Sequence, residues 1–272
     1  MRGQMDEPYR VAGDVHVLPS QMKVPGVGSI PINAFVNLSE HPVLVDCGLG
    51  IDEPEFIEAL GSVIDPADLA WIWLTHDDAD HTGSLPTLLR LAPSAGLATH
   101  GLGALRMNTS WPVPLDRVHA VAPGDRLDVG DRVLRAVRPP TYDNPMSTGI
   151  FDEGSATFFS VDSFGAILQN SYQDVADVPE EELLGGMVAW ATFDSPWLHL
   201  AGRERMAGVL DDVRALGAEQ VLSSHLPAAV GRVDDLLEVV AGVPDAAPFV
   251  APDAATFDLI AAAMAKAGPI PS

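Results

Sequence analysis

The chain has 272 residues, 47% of them hydrophobic, which is enough for one large α/β domain with a sizeable core. Its 38 acidic and 15 basic residues give a net charge of −23, so phosphate backbones would be repelled and no nucleic-acid partner is expected. Because Cys47 is the single cysteine, a metal must be bound by histidine and carboxylate groups. The polar first residues and the lack of a long apolar stretch predict a cytoplasmic protein with no membrane partner.

The first third predicts an antiparallel meander and then a buried strand. Short β-like runs alternate with turns at 14–18, 33–38 and 42–45. Helical spacing follows at 53–60. Residues 70–75 form an apolar, β-favouring run that ends abruptly at His76, which predicts a central strand, and a helix is expected over 85–91.

The second half repeats this pattern without an intervening linker. Further strands are predicted at 133–137, 156–161, 166–168 and 220–222. Helices are predicted at about 203–216 and, in the alanine-rich tail, at about 252–267. We therefore expect one domain over residues 1–272, of the α/β class.

The residues that indicate chemistry are concentrated directly after the predicted central strand. Residues 76–81 contain two histidines and three aspartates. Such groups repel one another and are costly to desolvate unless a cation compensates their charge. Folds of the α/β class place their sites at strand ends. We therefore predict a metal site built from His76, Asp78, Asp80 and His81.

This segment resembles the His-x-His-x-Asp-His signature of the metallo-β-lactamase superfamily, with Asp78 at the position of the second histidine. A carboxylate there is similar to the oxygen-binding di-iron branch, the flavodiiron proteins, whose usual pattern is His-x-Glu-x-Asp-His. The resemblance implies a four-layer αββα sandwich and two metal ions. A hard oxygen donor favours iron or manganese over zinc, so iron is expected, with manganese, zinc or a single metal as alternatives.

Three further segments extend the resemblance. Residues 43–48 look like the superfamily's early strand, in which Asp46 would support the metal loops and Gly48 would permit the turn. Residues 158–165 resemble the segment whose aspartate, here Asp162, bridges both metals. Residues 221–227 resemble the segment that supplies the last histidine, here His225. The resemblance thus implies that metal one is bound by His76, Asp78 and Asp162, and metal two by Asp80, His81, Asp162 and His225.

One ligand of the family pattern is missing. The family has a further histidine before the bridging aspartate, and this position reads Thr141 or Tyr142 here. Either Asp143 or Asn144 replaces it, or metal one is weakly held, or the site binds a single metal. Tyr142 and His199 are further candidates, because their segments lie near the active-site mouth in the family.

The resemblance implies a di-iron redox protein that acts on dioxygen or a related small oxidant such as nitric oxide or peroxide. No flavin site is recognisable, so an external electron donor is expected. The alternative is a metal-dependent hydrolase of an ester, lactone, thioester or phosphodiester, in which Asp80 orients a metal-bound water. A third hypothesis is a non-catalytic oxygen or ligand sensor. A homodimer is the default expectation.

Overall fold

A computed structural model of the protein describes residues 3–11 and 13–266. Two β-sheets pack face to face, and helices cover the outer side of each sheet. This arrangement is the four-layer αββα sandwich, so the predicted fold class is confirmed. Fourteen strands form the described part of the two sheets: β1 (Gly3–Met5), β2 (Tyr9–Arg10), β3 (Val15–Val24), β4 (Gly28–Asn37), β5 (Val43–Val45), β6 (Trp71–Trp73), β7 (Gly96–Thr99), β8 (Val118–Ala120), β9 (Arg126–Asp128), β10 (Val133–Val137), β11 (Gly149–Asp152), β12 (Thr157–Val161), β13 (Gln220–Ser223) and β14 (Ala229–Val230).

The first sheet has the order β1-β3-β4-β5-β6-β7-β8, and β2 also pairs with β3. Its first half is antiparallel, and the long β3–β4 ladder runs from the pair Val15 and Asn37 to the pair Val24 and Gly28. From β5 to β8 the neighbouring strands are parallel. The predicted meander and the predicted central strand are therefore both present, although β6 is shorter than the apolar run that predicts it.

The second sheet has the order β14-β13-β12-β11-β10-β9, in which only the pair β12 and β13 is parallel among the described strands. The strand predicted at 166–168 is wrong, since only Leu168 forms an isolated bridge, to Ser29. The backbone of this segment bonds elsewhere: Ala166 N donates to His225 O at 2.8 Å, and Ile167 N donates to Gly186 O at 3.2 Å. Residues 166–168 are therefore hydrogen-bonded to the loop after β13, to α5 and to β4, and they do not form a strand of their own.

The described helices are α1 (Glu53–Val63), α2 (Ala79–Thr82), α3 (Leu85–Leu91), α4 (Gly101–Met107), α5 (Glu180–Asp194), α6 (Leu198–Ala201), α7 (Arg203–Arg214), α8 (Val233–Gly242) and α9 (Ala254–Lys266). The sequence did not predict α2, α4, α5, α6 or α8. The predicted tail helix is α9, and its last predicted residue, 267, lies outside the described residues. Within the described ranges, none of the helices combines the length and the apolar character that crossing a bilayer requires.

Three clusters of buried apolar side chains lie between the four layers. Between the sheets, Trp73 and Phe159 are buried with their neighbours. Phe56 of α1 packs on the outer face of the first sheet, and Met187 of α5 and Leu210 of α7 pack on the outer face of the second. Each such fully buried side chain contributes about 1.5–3 kcal/mol to folding. The cores fix the relative positions of β6, β12 and β13, which end at one edge of the sandwich.

Candidate metal centre

The aspartate and histidine cluster begins at His76, three residues after the end of β6. His76 lies in the connection to α2, Asp78 is the residue before α2, and α2 itself contains Asp80 and His81. The carbonyl oxygen of Asp78 accepts hydrogen bonds from the backbone N–H groups of His81 and Thr82, both at 3.1 Å. This single turn presents Asp80 and His81 to the same space.

Two glycines allow the turn of α2 to approach the loop that follows β5. Gly48 has φ +59°, and a Cβ there would lie 2.9 Å from the ring of Phe56. At Gly83 a Cβ would lie 2.0 Å from the backbone nitrogen of Gly50. Only glycine fits these positions without a shift of the backbone. The turn predicted at Gly48 is therefore confirmed.

Asp46, which also has a positive φ of 61°, holds the loop between β6 and α2 in place. Its carboxylate accepts hydrogen bonds from Thr75 N and Thr75 Oγ1, both at 2.8 Å. Its Oδ2 also lies 2.8 Å from His81 Nδ1. Because Nδ1 of His81 donates to this carboxylate, Nε2 is left as the atom that can bind a metal.

His225 is fixed in the same way from the second sheet. It follows β13, and its Nδ1 donates to the carbonyl oxygen of Pro31 at 2.8 Å. The ring of Trp190 lies 4.3 Å from the ring of His225, centroid to centroid. Trp190 Nε1 also donates to the carbonyl oxygen of Asp162, at 2.9 Å. Trp190 thus contacts two candidate ligands at once.

Asp162, directly after β12, lies at the centre of the cluster. Its Oδ2 is 3.4 Å from His76 Nε2, whereas its Oδ1 is 3.1 Å from both His81 Nε2 and His225 Nε2. Asp80 Oδ2 is 3.7 Å from His81 Nε2 and 3.5 Å from His225 Nε2. Donors that share one ion at about 2.1 Å lie roughly 3.0–3.4 Å apart. The distances of Asp162 therefore fit a carboxylate shared by two groups of ligands, and those of Asp80 are slightly longer.

Two buried atoms at this centre lie 3.1 Å apart but make no hydrogen bond of good geometry among the described residues. They are His81 Nε2 and Asp162 Oδ1. Buried polar atoms are normally hydrogen-bonded, and an unpaired one is costly. A cation between these atoms would satisfy both of them. The residues present thus fit a bound metal.

The electrostatics of the cluster lead to the same interpretation. Burial alone would raise the pKa of Asp162, but the charges of His76 and His81 hold it well below its usual range. Burial alone would lower the pKa of His81, but Asp80 and Asp46 raise it well above its usual range. In the metal-free protein the imidazolium rings therefore compensate the carboxylates. A metal would take over this role and release their protons.

Among the replacements proposed for the missing ligand, Asp143 has the better position. Its carboxylate lies within 4.8 Å of donor atoms of both His76 and Asp78. Asn144, by contrast, donates through Nδ2 to Asp78 Oδ1 at 2.9 Å, and its Oδ1 accepts from Met146 N at 3.0 Å. Its amide is thus engaged in orienting Asp78. Thr141 bonds to Ser163 at 3.1 Å instead.

Sequence reasoning missed two residues of α5 that face the centre, Trp190 and Asp194. The carboxylate of Asp194 lies within 4.8 Å of those of Asp143 and Asp162. Burial, together with the charges of Asp162 and Asp143, raises the pKa of Asp194 to about 8. The sequence offers only a weak signal for α5, a largely apolar segment that ends in an aspartate.

The two remaining candidates lie outside the ligand cluster. Tyr142 packs its ring 5.6 Å from that of Trp197, and its carbonyl oxygen accepts from Trp197 Nε1 at 2.9 Å. His199 is exposed on α6 and borders a separate small cavity next to Ser195 and Val243. The structure therefore does not bring His199 to the predicted ligands, and a catalytic role of either residue stays a prediction.

The fold and this cluster define a protein of the metallo-β-lactamase type. A family model described as "ODP family beta lactamase" matches residues 31–225. Because this match covers most of the chain, the chain belongs to that family. The predicted kinship with flavodiiron proteins is confirmed by the relatives described next.

Curated relatives match about half of the chain. The anaerobic nitric oxide reductase flavorubredoxin of Salmonella typhi is 31% identical over 134 residues, which are 49% of this chain and 28% of the relative. The flavo-diiron protein FprA2 of Clostridium acetobutylicum is 31% identical over 135 residues, 49% of this chain and 34% of the relative. The aligned part is therefore about a third or less of the length of these relatives.

Solved structures confirm the fold over a longer stretch. A flavoprotein of Thermotoga maritima has a TM-score of 0.76 at 20% identity, covering 90% of this chain and 62% of that chain. The rubredoxin oxygen:oxidoreductase of Desulfovibrio gigas has a TM-score of 0.74 at 18% identity, covering 88% and 61%.

Proposed function

We propose that the centre binds two metal ions, of which at least one is iron. Position one is formed by the ligands on the Oδ2 side of Asp162, namely His76, Asp78, Asp143 and Asp162 itself. Position two is formed by the ligands on its Oδ1 side, namely Asp80, His81, His225 and again Asp162. The observation that carries this proposal is the carboxylate of Asp162, of which one oxygen lies 3.4 Å from His76 Nε2 and the other lies 3.1 Å from both His81 Nε2 and His225 Nε2.

We further propose that this pair is a redox centre that reduces dioxygen or a related small oxidant such as nitric oxide. The relatives that support it are named as a nitric oxide reductase, a flavo-diiron protein and an oxygen:oxidoreductase. When bound, iron supplies the electrons for the small oxidant, while the protein supplies the ligands and a shielded pocket. The carboxylate of Asp78, in place of an imidazole, favours iron over zinc.

The chain's own residues would orient and shield this centre. Asp46 and Pro31 fix the rings of His81 and His225 through bonds of 2.8 Å. Asp162, His81 and His225 are almost fully buried, so water has little access to them. An external electron donor is part of the proposal, because reduction of a small oxidant consumes electrons that must be replaced in each turnover. A homodimer and a cytoplasmic location are also proposed.

Oxygen consumption by the iron-loaded protein with a chemical reductant tests this function. We expect uptake by the wild type and a loss of both metal and uptake in Asp162→Ala. The matched control is His41→Ala, since His41 is exposed and distant from the cluster in the fold. Its metal content and its uptake should equal those of the wild type.

The same preparations distinguish the other two hypotheses. Hydrolysis of an ester, lactone, thioester or phosphodiester without oxygen uptake would replace the redox proposal by the hydrolase. Tight metal binding with neither activity would favour the sensor. Equal metal content in the wild type and in Asp162→Ala would contradict the metal site itself.

A further inference from the structure

The aspartate between His76 and Asp78 is not one of the proposed ligands. The side chain of Asp77 is only 3% exposed, although it carries a carboxylate. A buried carboxylate is costly unless it is paired and hydrogen-bonded. Its partners are the guanidinium of Arg106, which donates to both carboxylate oxygens, and Asn144 Nδ2, which lies 3.2 Å from Oδ1. Asp77 is therefore the anchor of a group of polar side chains beside the metal centre.

Both partners of Asp77 also bond to the proposed ligand Asp78. Arg106 Nη2 donates to Asp78 Oδ1 at 3.4 Å, and Asn144 Nδ2 donates to the same oxygen at 2.9 Å. The other oxygen of Asp78, Oδ2, lies 3.7 Å from His76 Nε2. Oδ1 thus faces the hydrogen-bond donors, whereas Oδ2 faces the imidazole of position one.

The two donors approach Asp78 from different parts of the fold, and each has a fixed direction. Arg106 belongs to α4, and its planar guanidinium is oriented by the paired contact with Asp77. Asn144 is buried in the loop between β10 and β11, where its Oδ1 accepts from Met146 N at 3.0 Å. This bond directs Nδ2 of Asn144 toward the two aspartates. Asp78 is therefore held by groups whose own orientations are fixed.

We propose that Arg106 is a positioning residue of the metal centre. Anchored by Asp77, it holds Oδ1 of Asp78 and leaves Oδ2 as the atom that binds the metal in position one. Arg106 itself does not contact the metal. This inference rests on the proposed two-metal centre.

The charge of Arg106 and its hydrogen bonds have opposite effects on metal binding. A guanidinium beside a ligand repels a metal cation, so by charge alone the metal would bind more tightly without Arg106. Orientation acts in the other direction, because an Asp78 side chain that is free to rotate must lose that freedom when it binds a metal. The sign of the change in affinity therefore distinguishes a positioning role from a simple charge effect.

The test is anaerobic titration of the metal-free protein with iron(II), in competition with a chromophoric chelator, to obtain the affinity of each metal. In Arg106→Ala we expect one metal to bind about tenfold more weakly, the scale on which groups behind a metal ligand act, and the other to stay within about twofold of the wild type. Equal or tighter binding of both metals would overturn the proposal. Equal weakening of both would overturn it too, because position two would then depend on Arg106 as well.

The matched control is Arg126→Ala. The side chain of Arg126 is 50% exposed, against 51% for Arg106, and it also pairs with a carboxylate, that of Glu153, at 3.1 Å. Glu153 is not one of the proposed ligands, so both affinities should equal those of the wild type. Urea denaturation of the metal-free variants checks that they are folded. A tenfold loss in Arg126→Ala would overturn the specific role of Arg106.

Two further variants separate direction from charge. Arg106→Lys keeps the charge but replaces the planar fork by a single ammonium group, so it should restore only part of the affinity. Asn144→Ala removes the other donor to Oδ1 without a change in charge, and it should weaken the same metal. Full recovery in Arg106→Lys would overturn the role of the fork. Unchanged affinities in Asn144→Ala would overturn the fixation of Oδ1.

The inference can fail separately from the proposed function. Two metals in the wild type, with unchanged or tighter binding in Arg106→Ala, would overturn the positioning role and leave the two-metal centre intact. Fewer than two metals in the wild type would contradict the proposed function, and with it the role of Arg106.

Discussion

Trp190 is the residue through which helix α5 contacts two of the proposed metal ligands. Its Nε1 donates to the carbonyl oxygen of Asp162 at 2.9 Å, and its ring packs against that of His225 at a centroid distance of 4.3 Å. We expect Trp190→Phe to weaken metal binding by about tenfold, at the low end of what residues behind metal ligands contribute. Competition with a chromophoric chelator measures the affinity.

The matched control is Trp197→Phe. Trp197 Nε1 also donates to a backbone carbonyl, that of Tyr142, at 2.9 Å, but this residue is not among the proposed ligands. Its affinity should stay within about twofold of the wild type, since no metal ligand changes. Equal losses in both variants would show that general packing, rather than the Asp162 bond, is responsible.

At the scale of the elements, the turn at Gly48 determines how closely α2 approaches β5. A left-handed conformation costs a residue with a Cβ about 1–2 kcal/mol, and here the Cβ would also contact Phe56. Gly48→Ala should therefore lower the free energy of unfolding by at least that amount. Urea denaturation of the metal-free protein measures it.

Gly61 in α1 is a glycine at which an added side chain should stabilise the fold, in contrast to Gly48. It is exposed, and a Cβ there has no neighbour within 4 Å. Gly61→Ala should raise the free energy of unfolding by roughly 0.5–1 kcal/mol, because alanine loses less entropy in a helix. If both substitutions had the same sign, strain at Gly48 would not be the cause.

The sequence predicts those parts of the centre that are encoded locally. The run that becomes β6 stops just before His76, and residues 76–81 contain four of the seven proposed ligands, so the sequence indicates the strand and the site together. Asp143 stayed one of several alternatives, because its distance from His76 depends on the packing of a loop against the other sheet. The residues that neighbour Asp143 in the sequence contain no information about this distance.

The elements that the sequence missed have equally physical causes. Helix α5 carries exposed apolar residues such as Leu184 and Phe193 on its outer side, which obscures its periodicity. The apolar run at 166–168 looks like a strand, but its backbone bonds to His225 and Gly186 instead of to a ladder. In both cases tertiary contacts override the local signal.

For the whole molecule, the carboxylates around the centre predict a pH-dependent stability of the metal-free protein. Asp194 has a pKa of about 8 in the fold, against 3.8 in the unfolded chain. The folded state therefore binds the proton more tightly, and the stability that this group contributes at low pH is lost as the pH rises from about 4 to 8.

Asp194→Asn should remove this loss, because the amide cannot ionise. The variant and the wild type should be equally pH-dependent below pH 4, and the stability of the variant relative to the wild type should increase up to about pH 8 and then level off. Urea denaturation across this range, with chelator present, measures the difference. A constant difference at all pH values would contradict the raised pKa of Asp194.

The measurement that tests the central claim most directly is a crystal structure of the metal-loaded protein, with anomalous scattering recorded at the iron and manganese edges. We predict two peaks that flank the Asp162 carboxylate, one at about 2.1 Å from His76 Nε2 and one at the same distance from His81 Nε2 and His225 Nε2. A single peak, or peaks bound by other residues, would contradict the two-metal centre.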